Sequence, residues 1–260
     1  GASPHDREVA LAQPGAVGRA THLVVNRTNL PPDASLAGGD GLYVGPAALV
    51  VVDPDITSDA ELGRGSEFAA NSRTGILVDG DPLCGDGGAD RVRNVIGARG
   101  VLCLAGASVR LNLGPGAYIQ QEAQAGQLAY SEFHSNVALG LGVTLNSSAP
   151  EMFCDHFLGT RMGPLGTTQG MRMLGDGLSI SGGIVRTRIA GSRIEGNQRF
   201  GLVLRDNAVE VTNTRSNGNR NGNGLIGTAS IPTGRELLMP TVQPLSTPIA
   251  DRALPGVSLR

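Results

Sequence analysis

The 260-residue chain has no lysine and no tryptophan, aromatic residues make up 3% of it, and only 17% of its residues are charged. With 23 acidic against 21 basic side chains, all of the latter arginine, the net charge is -2. It lacks the strongly basic face that nucleic acid requires. Near-neutrality combined with 40% hydrophobic residues also excludes a disordered, self-repelling chain. Long apolar runs are missing. The two longest, residues 46–52 and 137–145, fall well short of the roughly 20 residues that span a bilayer, so no membrane span is expected. No charged leader followed by an apolar run opens the chain. Gly1-Ala2-Ser3 reads as a processed start, so the missing leader does not speak against secretion.

Cysteine is sparse and odd in number. Cys84, Cys103 and Cys154 allow one pair plus a free thiol, or three buried thiols acting as small apolar residues. What is abundant is glycine, 39 residues, with 15 prolines. Glycine does not recur at every third position, which excludes collagen. At about 1 kcal/mol per interior glycine, this composition also excludes a long helical bundle. A turn-rich, all-β protein remains.

The glycines recur ahead of alternating apolar residues: Gly41-Leu42-Tyr43-Val44, Gly75-Ile76-Leu77-Val78, Gly100-Val101-Leu102-Cys103, Gly142-Val143-Thr144-Leu145, Gly177-Leu178-Ser179-Ile180, Gly201-Leu202-Val203-Leu204 and Gly224-Leu225-Ile226. The steps are 34, 25, 42, 35, 24 and 23 residues, a period in the low twenties with insertions. Strand-like units at that period predict a solenoid, in which each repeat buries its face against its neighbours. Three short strands per repeat, separated by Gly, Asn and Asp corners, predict one coil of a parallel β-helix, because a sharp bend between strands needs positive φ. Asn197 and Asn219, 22 residues apart, are expected to stack and share hydrogen bonds.

This pattern resembles the right-handed parallel β-helix proteins of the pectin lyase-like superfamily, clearly over residues 177–226 and irregularly back to residue 41. The expected architecture is a single-stranded, right-handed parallel β-helix over residues 41–229. A cap over residues 1–40 precedes it, and a Pro-rich tail over residues 230–260 covers the last turn or mediates self-association. Residues 105–176 hold either two regular turns or a functional insertion.

Three constellations are candidates for chemistry. Asp79, Asp81, Asp86 and Asp90, interleaved with glycine, have the oxygen ligands to wrap Ca²⁺, although the same residues also make an ordinary polar corner. Arg193 and Arg215, 22 apart, and Arg199 and Arg220, 21 apart, are expected to form two rows able to grip the carboxylates or sulfates of an acidic polysaccharide. The family resemblance implies a third. Lyases of this fold use a cationic base and Asp-bound Ca²⁺, which points to Asp155, His156, Arg161 and Arg172. The paired-aspartate signature of the related hydrolases is absent. The leading expectation is therefore a non-catalytic structural or adhesive protein, secreted or on a cell or virion surface, contacting acidic carbohydrate or a cell-surface glycan. The alternatives are a polysaccharide lyase, a less favoured glycoside hydrolase, and a phage-like trimeric spike.

Overall fold

A computed structural model of the chain describes residues 9–11, 17–28, 39–45, 48–80, 100–121, 123–144, 147, 149, 151–165, 171–181, 187–205, 209–226, 229–231, 237–239 and 258–259. The protein is all-β, built on three parallel sheets, with no α-helix among the described residues. The chain visits the sheets in rotation. Val9–Leu11 lies in the first sheet, Val17–Ala20 in the second and Val24–Asn26 in the third, and the cycle then repeats. It closes seven times, the last full circuit being Phe200–Arg205, Val209–Thr212 and Thr214–Asn217. Every pairing between successive circuits is parallel, an arrangement consistent with a β-helix. The segment ahead of Gly41 supplies the first strand of all three sheets. At the other end Ala229–Ile231 and Leu237–Met239 add antiparallel strands to the first and third sheets.

Alternation decides what lies inside. In the third sheet Val25, Phe68, Val109, Phe133, Phe157 and Ile194 stack inward in register, and the rings of Phe133 and Phe157 lie nearly parallel at 5.1 Å. Three of the five phenylalanines are therefore spent in one interior column, while aliphatics fill the other two faces.

The glycine repeat needs correction in four places. Gly100 opens a second-sheet strand, whereas the other repeats named belong to the first sheet. The true first-sheet column runs Gly41, Gly75, Gly116, Gly140, Gly177, Gly201 and Asn223, since Leu42, Ile76, Ala117, Leu141, Leu178, Leu202 and Gly224 pair in sequence. A further repeat stands at Gly116, and the repeats expected at Gly142 and Gly224 begin two and one residues earlier, at Gly140 and Asn223. These glycines are required by packing. A Cβ at Gly75 would lie 2.6 Å from Asn112 Nδ2 and 2.5 Å from the Gly116 carbonyl, and Gly116 meets Asn136 and Gly140 in the same way.

The corner residues form two ladders. At the turn into the first sheet, Thr28, Asn71, Asn112, Asn136, Thr160, Asn197 and Asn219 lie one above another, and Asn223, four residues further along the last circuit, turns its side chain back to close the run. Each asparagine accepts the main-chain N–H of the residue one step before it, except where Thr160 interrupts the run. At the turn into the third sheet, Ala107 N–H donates to Ser131 Oγ, Ser131 N–H to Asp155 Oδ1, Asp155 N–H to Ser192 Oγ, and Ser192 N–H to Thr214 Oγ1. The same corners carry the left-handed residues that the pattern predicts, but not only as glycine and asparagine. Gly106, Tyr130, Cys154, Gly191 and Asn213 hold positive φ at one corner, and Ala70, Leu111, Ser135, Gly159, Gly196 and Gly218 at the other. Leu111 adopts φ 58° with 41% of its surface exposed, so it takes up backbone strain with little packing in return. Leu111→Gly is expected to stabilise the protein by about 1 kcal/mol, read from the urea midpoint. An unchanged or lower midpoint would contradict this account of the corner.

Candidate functional site

Asp155 is a corner rung. It is fully buried, its Oδ1 accepts the Ser131 N–H at 2.9 Å, and its Oδ2 finds no hydrogen-bond partner among the described residues. Burial pushes its pKa up to about 8, against the pull of the Ser131 N–H. The equivalent positions in neighbouring circuits are Ser131, Ser192 and Thr214, each of which returns its hydroxyl proton to the carbonyl two residues earlier. His156 follows on the outer face of the third sheet, half-buried, where burial first and the neighbouring Arg193 second lower its pKa. Arg161 donates from Nε to the Ser135 carbonyl at the opposite corner. Arg172 begins a long strand, Arg172–Ser181, whose first residues leave the circuit and pair antiparallel with Gly163–Leu165. The four residues expected to serve a lyase therefore occupy an interior corner, a sheet face, a second corner and a hairpin.

Cys154 sits between these elements, and burial together with Asp59 pushes its thiol up to about 12, which leaves it a poor nucleophile. Cys103 and Cys154 are free thiols, and Cys84 lies outside the described residues. Of the expected Ca²⁺ ligands only Asp79 is described; Asp81, Asp86 and Asp90 lie outside the described residues. Asp79 ends the strand Ile76–Asp79, accepts a hydrogen bond from Gln120 Nε2 at 2.7 Å, and has its pKa raised chiefly by burial.

The arginine rows divide. Arg193 and Arg215 are exact register partners on the outer face of the third sheet, with side chains 53% and 49% exposed. Glu195 lies beside both, 2.8 Å from Arg193 Nε and 3.8 Å from Arg215 Nε, and holds the two side chains along one edge. Arg199 and Arg220 do not form a second row. Phe200 pairs with Gly222, so Arg199 aligns with Asn221, one residue beyond Arg220. Arg199 instead grips Asp176 with both Nε and Nη2, at 2.6 and 2.5 Å, and the Phe200 N–H adds a third bond to the same carboxylate. A spacing of 21 was one short of the local period of 22, and that single residue decides the column.

Residues with no expected role in chemistry gather on the first sheet. Tyr118, Thr144, Ser179, Ser181 and Arg205 line one cavity with Arg172 and Arg199. The only signal for them in sequence was their place between inward apolar residues of first-sheet strands. No helix among the described residues is long and apolar enough to cross a membrane. No group of three or more His, Cys, Asp or Glu among the described residues is placed to hold a metal. No protein-family model matches the chain, and no curated protein and no solved structure shows a significant match to it.

Proposed function

We propose that the chain is a single-stranded, right-handed β-helix of the pectin lyase-like kind, its coils beginning not at residue 41 but at the circuit Val9–Asn26, in the stretch expected to be a cap, with the Pro-rich residues 230–260 as its tail. It works as a non-catalytic rod, secreted or on a cell or virion surface, that contacts acidic carbohydrate. The supporting observation is the register pair Arg193 and Arg215, outward-facing and half exposed one coil apart, with Glu195 fixing their inner edge. Successive strands of a sheet are spaced about 4.8 Å apart, so the two guanidinium groups form a rigid fork for carboxylates or sulfates of one polymer. A lyase is less well supported, because its four expected residues are spread over separate elements.

The test is retention of polygalacturonate and of a sulfated glycan by the immobilised full chain, with and without Ca²⁺. Retention should fall about tenfold in the Arg193→Ala/Arg215→Ala double variant, the loss of one to two charge-assisted contacts. Ultraviolet absorbance of the same mixtures is followed in parallel. A steady rise from unsaturated sugar ends would replace this reading with the lyase, and full retention by the double variant would remove the arginine pair from it.

A further inference from the structure

The stack turns position in the sequence into height, because each circuit lays its three strands on the circuit before it. Charge divides along that height. Residues 1–155 carry 9 arginines against 17 acidic side chains, and residues 156–260 carry 12 against 6. The described residues keep the same imbalance. Ion pairs leave it in place, since they join groups of the same half: Arg110 with Glu67 in the first, Arg193 with Glu195 and Arg199 with Asp176 in the second. The early circuits are therefore acidic and the late ones basic.

The outer face of the third sheet gathers this polarity into one column. Register stacks Glu67, Ser108, Glu132, His156, Arg193 and Arg215 in that order. The short 3-10 helix Asp59–Glu61 adds two carboxylates at the acidic end, and Gly63, just after it, packs against Glu132. Glu132 joins no ion pair among the described residues. At the other end Glu195 offsets one of the two arginines and leaves the trio net positive.

Such a column is its own complement when reversed. A second copy laid alongside in the same direction would set acid on acid and arginine on arginine. Turning that copy by 180° about an axis parallel to the strands and level with His156 sets Glu132 of each copy opposite Arg193 of the other, the isologous contact of a two-fold dimer. The same axis matches the neighbouring column, where His134, Leu158 and Glu195 are successive register partners. Leu158 meets its own counterpart on the axis, and His134 meets Glu195. Packed sheets stand about 10 Å apart, a gap that a glutamate and an arginine close from opposite sides.

We propose that the outer face of the third sheet is an interface between two copies of this chain, packed side by side and antiparallel, with Glu132 and Arg193 as its crossing pairs. A face of seven short strands about 4.8 Å apart is at the small end of specific interfaces, so the dimer exchanges with monomer and is sensitive to salt. Arg193 is also a contact proposed for an acidic polymer, so the polymer and a second copy exclude one another there. The dimer itself does not depend on polymer binding and is measured without it.

Sedimentation velocity of the full chain over a concentration series tests the interface. A monomer–dimer equilibrium is expected at about 20 mM salt, and it should weaken about tenfold or more at about 300 mM, where the Debye length is several-fold shorter. Arg193→Glu and Glu132→Arg should each be monomeric at the lower salt. Their equimolar mixture should dimerise as the parent does, because opposite charges then meet at both crossings, and this recovery shows that both variants fold. Small-angle scattering should give a dimer of nearly the monomer's length. A dimer of doubled length would mean end-to-end stacking and overturn the side-by-side arrangement. Monomer under every condition, or a dimer unmoved by salt and by both substitutions, would overturn the interface. A mixture that stays monomeric, with both variants folded by circular dichroism, would overturn the pairing of Glu132 with Arg193.

Discussion

Asp155→Ser should stabilise the protein at pH 8 by about 2–4 kcal/mol, roughly 5–10 °C in Tm for a chain of this size. The reason lies in the proton balance of one buried carboxyl. The unfolded chain releases the Asp155 proton near the ordinary 3.8, whereas the folded chain holds it to about 8, because burial disfavours the charged form. As pH rises between these values the unfolded state ionises while the folded state does not. Stability is therefore fully present below about pH 4, falls through the interval, and levels off above about pH 8. Serine is the residue that the neighbouring circuits use at this rung, as Ser131 and Ser192, and it neither titrates nor leaves a second oxygen without a partner. Thermal melts of parent and variant from pH 4 to 9 test this. The curves should converge near pH 4 and separate steadily above it. A constant offset across the range would mean that Asp155 does not titrate as its burial requires.

Asn112→Ala should cost about 3–5 kcal/mol, or prevent folding, since it breaks a buried network from which both neighbours draw bonds. Asn112 Oδ1 accepts the Asn71 N–H at 3.0 Å and Asn71 Nδ2 at 2.9 Å, while its own Nδ2 donates to the Phe68 carbonyl and to Asn136 Oδ1. Alanine leaves the Asn71 N–H and the Phe68 carbonyl buried without these partners, in a corner too tight for a replacement side chain to follow. Urea unfolding measures the loss, with Asn26→Ala as control, since Asn26 is exposed and should change stability by less than about 0.5 kcal/mol. A cost for Asn112→Ala no larger than the control's would show that the ladder follows the fold without supporting it.

Part of this organisation was readable beforehand. Asn197 over Asn219 followed from a clean 22-residue step, and it holds at 2.8 Å between Nδ2 and Oδ1. The remaining rungs carry a signal that was also present. Asn71 and Gly75, Asn112 and Gly116, Asn136 and Gly140, and Asn197 and Gly201 all show asparagine four residues before glycine, because the amide of one coil occupies the space a Cβ of the previous coil would need. The asparagine ahead of the glycine marks the column at Gly140, whereas the apolar run alone points to Gly142, two residues on. The left-handed corners at Ala70, Leu111, Tyr130 and Cys154 carried no such signal. Their positive φ is imposed by the circuits above and below, and nothing in those residue types asks for it.

The site residues divide in the same way. Arg193 over Arg215 needed only the period, since 22 residues close one circuit at that point in the chain. Arg199 and Arg220 failed by one residue, and Asp155 next to His156 looked like a functional step although one side chain points into a corner and the other onto a face.

By itself the sequence determined an all-β chain of short strands repeating at about twenty-odd residues, apolar on alternate positions, turning at small and polar residues. Local propensity and periodicity suffice for that, because each is a property of a few adjacent residues. Only the tertiary structure decided which strand lies above which, which carboxylates become buried rungs, and that a hairpin inserted at residue 163 roofs a cavity holding Arg172 and Arg205. Insertions of different length separate the circuits. Residues that share a column in successive circuits are therefore 22 to 52 positions apart in the chain, and only closing the circuits brings them together.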